Sequence, residues 1–429
     1  MKKTFLLSCL MLAAMPVMAA YTGHVYVDKN KNGVFDQSEK PLAGIKVSDG
    51  LNVVETAADG SFTLPGHERE RFIFITTPSG YKTFNRHYHK IEKKQSGYDF
   101  GLIPYSGRIR KNGSHRYIHI ADTEIFNTEN HADWVNNVRD YARNEQAAFI
   151  IHTGDICYEK GLKAHIKLMN TENMDCPVFY CIGNHDLVKG KYGEELFESI
   201  YGPVYYSFDA GNVHYVVTPM PGGDHAPGYT SDDVCRWLKN DLAHIRPGTP
   251  VVVFNHDLLT YEDTFIFKSK NAGSINLNEY NLKAWVYGHW HINYMKKQGD
   301  VYSVCTSSLD KGGIDHSTTA FRVMHVDSKG DFTSELRYTY LDKNICIASP
   351  AGVMASGVLP VAVNVYSSVS PVREVLYTCL ADGKPVLKNK RLLQSTDWSW
   401  NGELPLSHKY VGKDCLLYTS PSPRDGATS

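Results

Sequence analysis

The sequence predicts an α/β domain set between two β-rich regions, and three observations predict it. Between about Arg116 and Tyr340, apolar strand-like runs alternate with helical segments, as in domains whose helices cover a sheet. From Tyr21 to about Tyr105, the short runs HVYV, GIKV, SFTL and FIFIT are separated by turn pairs such as Asp49-Gly50 and Asp59-Gly60, which reads as a small β-sandwich. After about Pro350 the chain returns to strand character with AVNVY, EVLYTCL, the turn Ala381-Asp382-Gly383-Lys384, then Trp398 and Trp400. That region ends before a complete sheet is visible, so it reads as a truncated C-terminal β domain.

The boundaries follow from these changes of pattern. Residues 1–20 carry Lys2 and Lys3 and then an apolar run from Phe5 to Ala20 ending in small residues, which predicts a cleaved secretory signal and a secreted or periplasmic protein. The run is short for a membrane span and Pro16 interrupts it, while no later stretch approaches the roughly 18 apolar residues a spanning helix needs. A lipoprotein reading through Leu6, Leu7, Ser8 and Cys9 leaves an apolar core of about four residues, shorter than export requires. Residues 21–105 then form the predicted sandwich, 110–345 the α/β domain and 355–414 the truncated β domain. Residues 415–429, from Cys415 to Ser429, read as translated sequencing adapter, so we expect an adapter-derived scar there, with the native C-terminus missing.

Composition excludes some functions. The 429 residues hold 45 Lys and Arg against 46 Asp and Glu, a formal net charge of −1, and no stretch concentrates basic residues with aromatics. Binding to a nucleic-acid polymer is therefore disfavoured. Between signal and scar stand Cys157, Cys176, Cys181, Cys235, Cys305, Cys346 and Cys379, a sparse, odd set with no CxxC pair. That is neither a disulfide scaffold nor a zinc ribbon.

Within the first β region, Asp28, Asn30, Asn32, Val34, Asp36 and Glu39 fall at positions 1, 3, 5, 7, 9 and 12 of a calcium-type loop, with Gly33 at position 6. The flanks are strands rather than helices. The stretch resembles the calcium loops of bacterial surface β-sandwich modules more than an EF-hand, and a polar hairpin stiffened by Asn and Gly is the plainer alternative.

In the middle region two helices are legible. Ser231 is expected to cap one, with Asp232 and Asp233 in its first turn and Val234, Leu238, Leu242 and Ile245 as its apolar stripe. Trp134, Val138, Tyr141 and Ala142 mark the other. Five predicted strands each end in polar residues that bind metals well: Tyr117 to Ala121 leads to Asp122; Ala147 to Thr153 to Gly154-Asp155; Pro177 to Ile182 to Gly183-Asn184-His185-Asp186; Pro250 to Phe254 to Asn255-His256; Ala284 to Tyr287 to Gly288-His289-Trp290-His291. Singly each is weak, because a Gly-Asp is often a turn and a lone His is more often packed or on the surface. Together they are expected to converge, since ligands in α/β sheets gather at the carboxyl ends of strands.

In that order the five blocks resemble the calcineurin-like metallophosphoesterase family, whose pattern is D-x-H, G-D, G-N-H-D/E, a lone H and G-H-x-H. The flanking β regions resemble those of exported bacterial members with accessory β domains at both ends. The resemblance covers about Arg116 to Tyr340 and implies a metallophosphoesterase-type β-sheet sandwich flanked by helices. It further implies that Asp122 and His291 hold a first divalent metal, that Asn184, His256 and His289 hold a second, and that Asp155 bridges them. A hydroxide between the metals would attack a small phosphoester, with His185, oriented by Asp186, aiding departure of the leaving group. Glu124 departs from the pattern, standing where the family usually has His. As a further ligand, its hard anionic oxygen would tilt the first site toward Mn²⁺, Mg²⁺ or Fe rather than Zn²⁺.

Tyr158, His225, Tyr229, Asp257, Trp290 and His316 neighbour these blocks and are candidates for the substrate pocket, with surface or loop roles as the plainer reading. Two rival functions stand beside the phosphoesterase. One is a calcium-dependent β-sandwich binding protein with a degenerate phosphoesterase domain; the other uses Cys157, Cys181 or Cys305 as a nucleophile beside a histidine.

Overall fold

The computed structural model describes residues 20–341, 343–350, 357–367, 372–395 and 399–410, together with the backbone of 415–423. The predicted signal up to Ala19 and Trp398 lie outside the described residues. Among the described residues, no helix is long and apolar enough to cross a membrane.

The first region is two facing sheets. One runs in the order Lys40–Pro41, Tyr21–Val27, Phe100–Pro104, Tyr81–Thr83, with Ser61–Leu64 also paired to Tyr21–Val27. The other runs Val53–Glu55, Lys46–Ser48, Phe72–Ile75, Tyr88–Lys90. Alternation along the strands sends Val25, Val47, Phe62, Leu64, Ile73, Ile75, Phe100 and Leu102 into one core between them.

The middle region stacks two larger sheets. The five-stranded sheet has the order Val178–Tyr180, Phe149–His152, His115–Ile120, Ala320–Val326, Phe332–Tyr338, and its first three strands are parallel. The six-stranded sheet has the order Tyr206–Ala210, Val213–Val217, Val251–Phe254, Leu282–Tyr287, Val301–Cys305, Tyr294–Gln298, with four central parallel strands. Period-2 alternation decides which side chain meets which layer. Tyr117, Phe149 and Ile151 face the second sheet, where the Phe149 ring lies 4.9 Å from Phe208 and 5.0 Å from Tyr215. Their neighbours Ile118, Ile120 and Ile150 face outward onto Trp134, Val138, Tyr141 and Ala142 of the helix Ala132–Asn144. Emptying one such fully buried aromatic position costs about 3–5 kcal/mol.

The second legible helix is Ser231–Ala243, and its cap is one residue earlier than expected. Thr230, not Ser231, is the N-cap: its side chain accepts from Asp233 N while the Asp233 carboxylate accepts from Thr230 N. The reciprocal pairing satisfies two end donors at once, which a cap at Ser231 would not. Val234, Leu238 and Leu242 are buried as predicted, and Ile245 falls beyond the helix end.

The first region is bound to the middle one by buried polar groups. Thr76 bonds Ser207 at 2.9 Å, Ser207 bonds Asp241 at 2.8 Å, and Lys46 reaches His214, which lies between Asp209 and Asp241. Nearby, Arg71 pairs with Glu194 at 2.7 Å and Glu198 at 3.0 Å.

After the middle region come two further sheets, one built on Gly357–Ser367 and Ser399–Leu406, the other on Val372–Ala381, packed around Val361, Val363, Val365, Val375, Tyr377, Trp400 and Leu404. Cys415–Pro423, expected to be adapter-derived, pairs antiparallel with Val372–Ala381. Addition to a sheet edge uses backbone groups common to every sequence, so the pairing is compatible with either origin of the segment.

Candidate metal centre

All five polar blocks lie at one rim of the stacked sheets, because each follows the carboxyl end of a parallel strand in one sheet or the other. Ligand atoms of Asp122, Asp155 and His291 lie within 4.8 Å of one another, and so do those of Asp155, His256 and His289. Asp155 is common to both groups. His291 Nε2 is 3.4 Å from Asp122 Oδ1, and the His256 and His289 rings are 5.0 Å apart.

The turns that carry these groups are strained. Asp122, Glu124, Asp155, Cys157, Tyr158, His289 and His291 all have positive φ, between 44° and 74°. Left-handed backbone at non-glycine residues costs about 1–3 kcal/mol each and persists where surrounding structure enforces it, typically at functional sites. Two motif glycines have a packing reason. A Cβ on Gly183 would lie 2.2 Å from Asp155 Oδ1, and one on Gly154, itself at φ +97°, would lie 2.5 Å from His256 Nδ1.

The arrangement fits cations. Asn184 Oδ1 and His256 Nε2 are buried with no hydrogen-bond partner, although His256 Nε2 comes within 3.1 Å of Asp155 Oδ2. His256 Nδ1 lies 2.6 Å from the Thr153 carbonyl, to which it donates, and this leaves Nε2 as the nitrogen facing the carboxylates. Burial pushes the Asp122 carboxyl up. Burial opposes a charge on His256, but Asp155 and then Asp122 outweigh it and push the imidazole up to about 10. The carboxylates thus draw in positive charge, which a divalent cation supplies more fully than one proton.

Glu124 sits at the mouth. Its Oε1 is 3.5 Å from His291 Nε2, and its Oε2 pairs with Lys311, whose ammonium also donates to the Glu124 carbonyl at 3.2 Å. A carboxyl oxygen of Glu124 also groups with Asp155 and the Cys157 thiol.

The expectation that Asp186 orients His185 is not met. Asp186 is fully buried and accepts from Cys157 N at 2.8 Å and Gly183 N at 2.9 Å, tying two ligand loops together. Burial, then the Asp155 charge, pushes its carboxyl up to about 7. The partner of His185 Nδ1 is Asp224 Oδ2, at 2.8 Å. Burial works against a charged His185, but the bond to Asp224 prevails and raises its pKa. Asp224 was missed by sequence reasoning; the available signal was Gly222-Gly223-Asp224, where Gly223 allows the Asn184 backbone to approach and Asp224 N donates to Asn184 O at 3.0 Å. Lys311 was missed too, with no local signal.

The pocket candidates divide. Tyr158 is exposed, 5.3 Å from the His185 ring and stacked at 6.2 Å on Phe126. Trp290 donates to Asp257 Oδ1 at 3.0 Å and stacks on the exposed Tyr261 at 5.9 Å. Tyr229 is buried and spends its hydroxyl on the Met220 carbonyl, so it belongs to the core. His225 and His316 are exposed. The cysteine reading fails on chemistry: Cys157, Cys181 and Cys305 are buried, burial and then nearby carboxylates raise all three thiols, and a nucleophilic thiolate is disfavoured.

The six calcium-loop residues lie in the loop that joins the paired strands Tyr21–Val27 and Lys40–Pro41 of the first region. Asp28, Asn30, Asn32, Asp36 and Glu39 join in one set of hydrogen bonds, and Val34 enters it through its backbone N–H.

Comparison with known proteins gives the family. Residues 115–293 match the family model for calcineurin-like phosphoesterases, and residues 29–104 match the model for the N-terminal domain of calcineurin-like phosphoesterase. Purple acid phosphatase 13 of Arabidopsis thaliana is 26% identical over 215 residues, which is 47% of this chain; the chain spans 36% of that protein's length. Among solved structures, an archaeal phosphodiesterase matches at 13% identity over 52% of this chain and 99% of its own, with a TM-score of 0.27. Vacuolar protein sorting 29 of Cryptosporidium parvum matches at 12% identity over 68% and 98%, with a TM-score of 0.28. The two family models together cover more than half of the sequence, and this chain belongs to the calcineurin-like phosphoesterase family, with that family's own N-terminal domain ahead of the phosphoesterase domain.

Proposed function

We propose that the chain is an exported enzyme that hydrolyses a small phosphoester, with Asp122, Glu124, Asp155 and His291 around one divalent cation and Asp155, Asn184, His256 and His289 around another. The observation that carries this reading is Asp155, whose carboxylate belongs to both ligand groups, beside the buried Asn184 Oδ1, which has no hydrogen-bond partner. When bound, the cations neutralise phosphate charge and lower the pKa of water, toward about 7 in favourable sites. The first group offers three carboxylates to one imidazole, a donor set that favours Mn²⁺, Mg²⁺ or Fe over Zn²⁺.

His185 acts at the mouth. With Nδ1 bonded to Asp224, Nε2 remains to donate a proton to the leaving oxygen, and Asp224 favours the protonated ring that donation needs. Asp186 holds the G-D and G-N-H-D loops in register through its two backbone bonds. The exposed rings of Phe126 and Tyr158 offer a planar apolar surface beside His185, suited to an aromatic part of the substrate.

The test is turnover. Purified protein supplied with Mn²⁺ should hydrolyse mono- or bis-nitrophenyl phosphate, and the preferred one separates monoesterase from diesterase. No turnover with any divalent metal would remove the proposal, and calcium as the sole bound metal would favour the binding-protein alternative. Export rests on Lys2, Lys3 and the apolar run to Ala20. Amino-terminal sequencing of the mature protein should begin at Ala20 or Tyr21; a retained Met1 would refute it.

A further inference from the structure

We propose that the Asp28–Glu39 loop is a calcium site, separate in place and in chemistry from the phosphoesterase metals. The hairpin that carries it brings its two ends together. Tyr21–Val27 pairs antiparallel with Lys40–Pro41, Val27 opposite Lys40, so Asp28 and Glu39 occupy the next rung, at positions 1 and 12 of the loop. Gly33, at position 6, has φ +73°, as the sharp turn there requires.

The charge at this point lacks a counter-ion. Asp28 is 1% exposed and Glu39 7%, and the half-buried Asp36 donates its backbone N–H to the Glu39 carboxylate. Among the described residues, no lysine or arginine nitrogen comes within ion-pairing distance of any of the three carboxylates. Only neutral donors face them: Asn32 N and Gly33 N bond Asp28, and Lys29 N and Asp36 N bond Glu39. Asn30 and Asn32 both turn their amide nitrogens to Asp36 Oδ2, at 2.7 and 3.2 Å. Those amides stand in for a cation, and turning them over presents their oxygens instead. Buried carboxylates are paired or coordinate metals, and Asp28 and Glu39, with half-buried Asp36 in the same set of bonds, exceed what neutral donors offset.

A second observation points the same way. The Tyr26 hydroxyl is fully buried and has no hydrogen-bond partner. It and Asp28 Oδ2 both lie close to one point beside Gly101, at 3.2 and 3.0 Å, and the Tyr26 ring stacks at 4.8 Å on Phe35 of the loop. An unspent hydroxyl aimed at the loop's first carboxylate suits a water in a cation's shell, the way position 9 often serves. Every donor is oxygen, on a loop with no imidazole or thiolate. Such a set selects calcium over the transition metals that His256, His289 and His291 attract.

Isothermal titration of the chelator-treated full chain with calcium chloride tests this. The wild type should bind one calcium ion at the loop, with Kd in the range of roughly 10⁻⁵–10⁻³ M. Glu39→Gln and Asp28→Asn, singly, should each weaken it on the order of tenfold or more, because fewer anionic ligands remain. Asp155→Asn should bind calcium at the loop as the wild type does. No binding heat in the wild type overturns the proposal by itself, whether or not the variants fold. Undiminished affinity in Glu39→Gln, or loss of the event in Asp155→Asn alone, would place the calcium at the phosphoesterase centre and overturn it as well.

Discussion

His185 Nδ1 lies 2.8 Å from Asp224 Oδ2, although the two residues are 39 positions apart in the chain. That contact makes Asp224 the positioning residue for the proposed proton donor. His185→Ala should lower kcat by about 100- to 10,000-fold on an alkyl phosphoester, the usual worth of general acid catalysis. The loss should shrink on nitrophenyl esters, whose leaving group departs without a proton. An equal loss on both substrates would deny His185 that role. Asp224→Asn should show the same dependence on leaving group with a smaller loss, about tenfold.

Glu124 and Lys311 form the other relationship at the mouth. Glu124→Ala should raise the Mn²⁺ concentration needed for half-maximal activity by about 10- to 100-fold. Glu124→His, which restores the family's usual residue, should keep activity and move the metal preference toward Zn²⁺. Metal-activation curves that coincide for wild type and Glu124→Ala would show that Glu124 serves Lys311 alone.

The exposed Tyr158 ring, 43% accessible, lies 5.3 Å from the His185 ring and stacks on Phe126, which is 54% exposed. Phe126→Ala or Tyr158→Ala should raise KM for aryl phosphoesters about three- to tenfold, the worth of one aromatic contact. Turnover of a simple alkyl phosphate should be little affected. Steady-state kinetics on the paired substrates would contradict this if both KM values moved together.

Arg71 faces two buried carboxylates, Glu194 and Glu198. Burial pushes the Glu198 carboxyl up from 4.5 to about 8, with Glu194 adding to the rise and Arg71 opposing it. The folded chain therefore holds this proton more tightly than the unfolded chain does. The stability it contributes is full below pH 4.5 and is lost as pH rises toward 8. Glu198→Gln, neutral at every pH, should thus melt higher than wild type above pH 8 and close to it in acid. Thermal melts across that interval check the sign; a variant less stable at pH 9 would contradict it.

Much of this was legible because strands ending in Asp122, Asp155, Asn184, His256 and His289 obey a rule about sheets: polar groups at carboxyl ends meet. The strands HRYIHI and FIIH are buried on both faces. The unreadable parts are contacts between loops. Lys311 meets Glu124 across 187 residues and Asp224 meets His185 across 39, and neither lies on a periodic element. The role that the resemblance implied for Asp186 is not met because its side chain turns inward to two backbone donors. The cap moved from Ser231 to Thr230 for a similar reason, since the reciprocal bond to Asp233 decides it.

Metal analysis of one pair of proteins bears most directly on the whole account: wild type and Asp155→Asn, loaded with Mn²⁺, desalted and assayed for manganese per chain. Two ions in the wild type and at most one in the variant, with turnover down by orders of magnitude, is the expected result. Two ions retained by Asp155→Asn, or none held by the wild type, would mean that Asp155 does not join two metal sites.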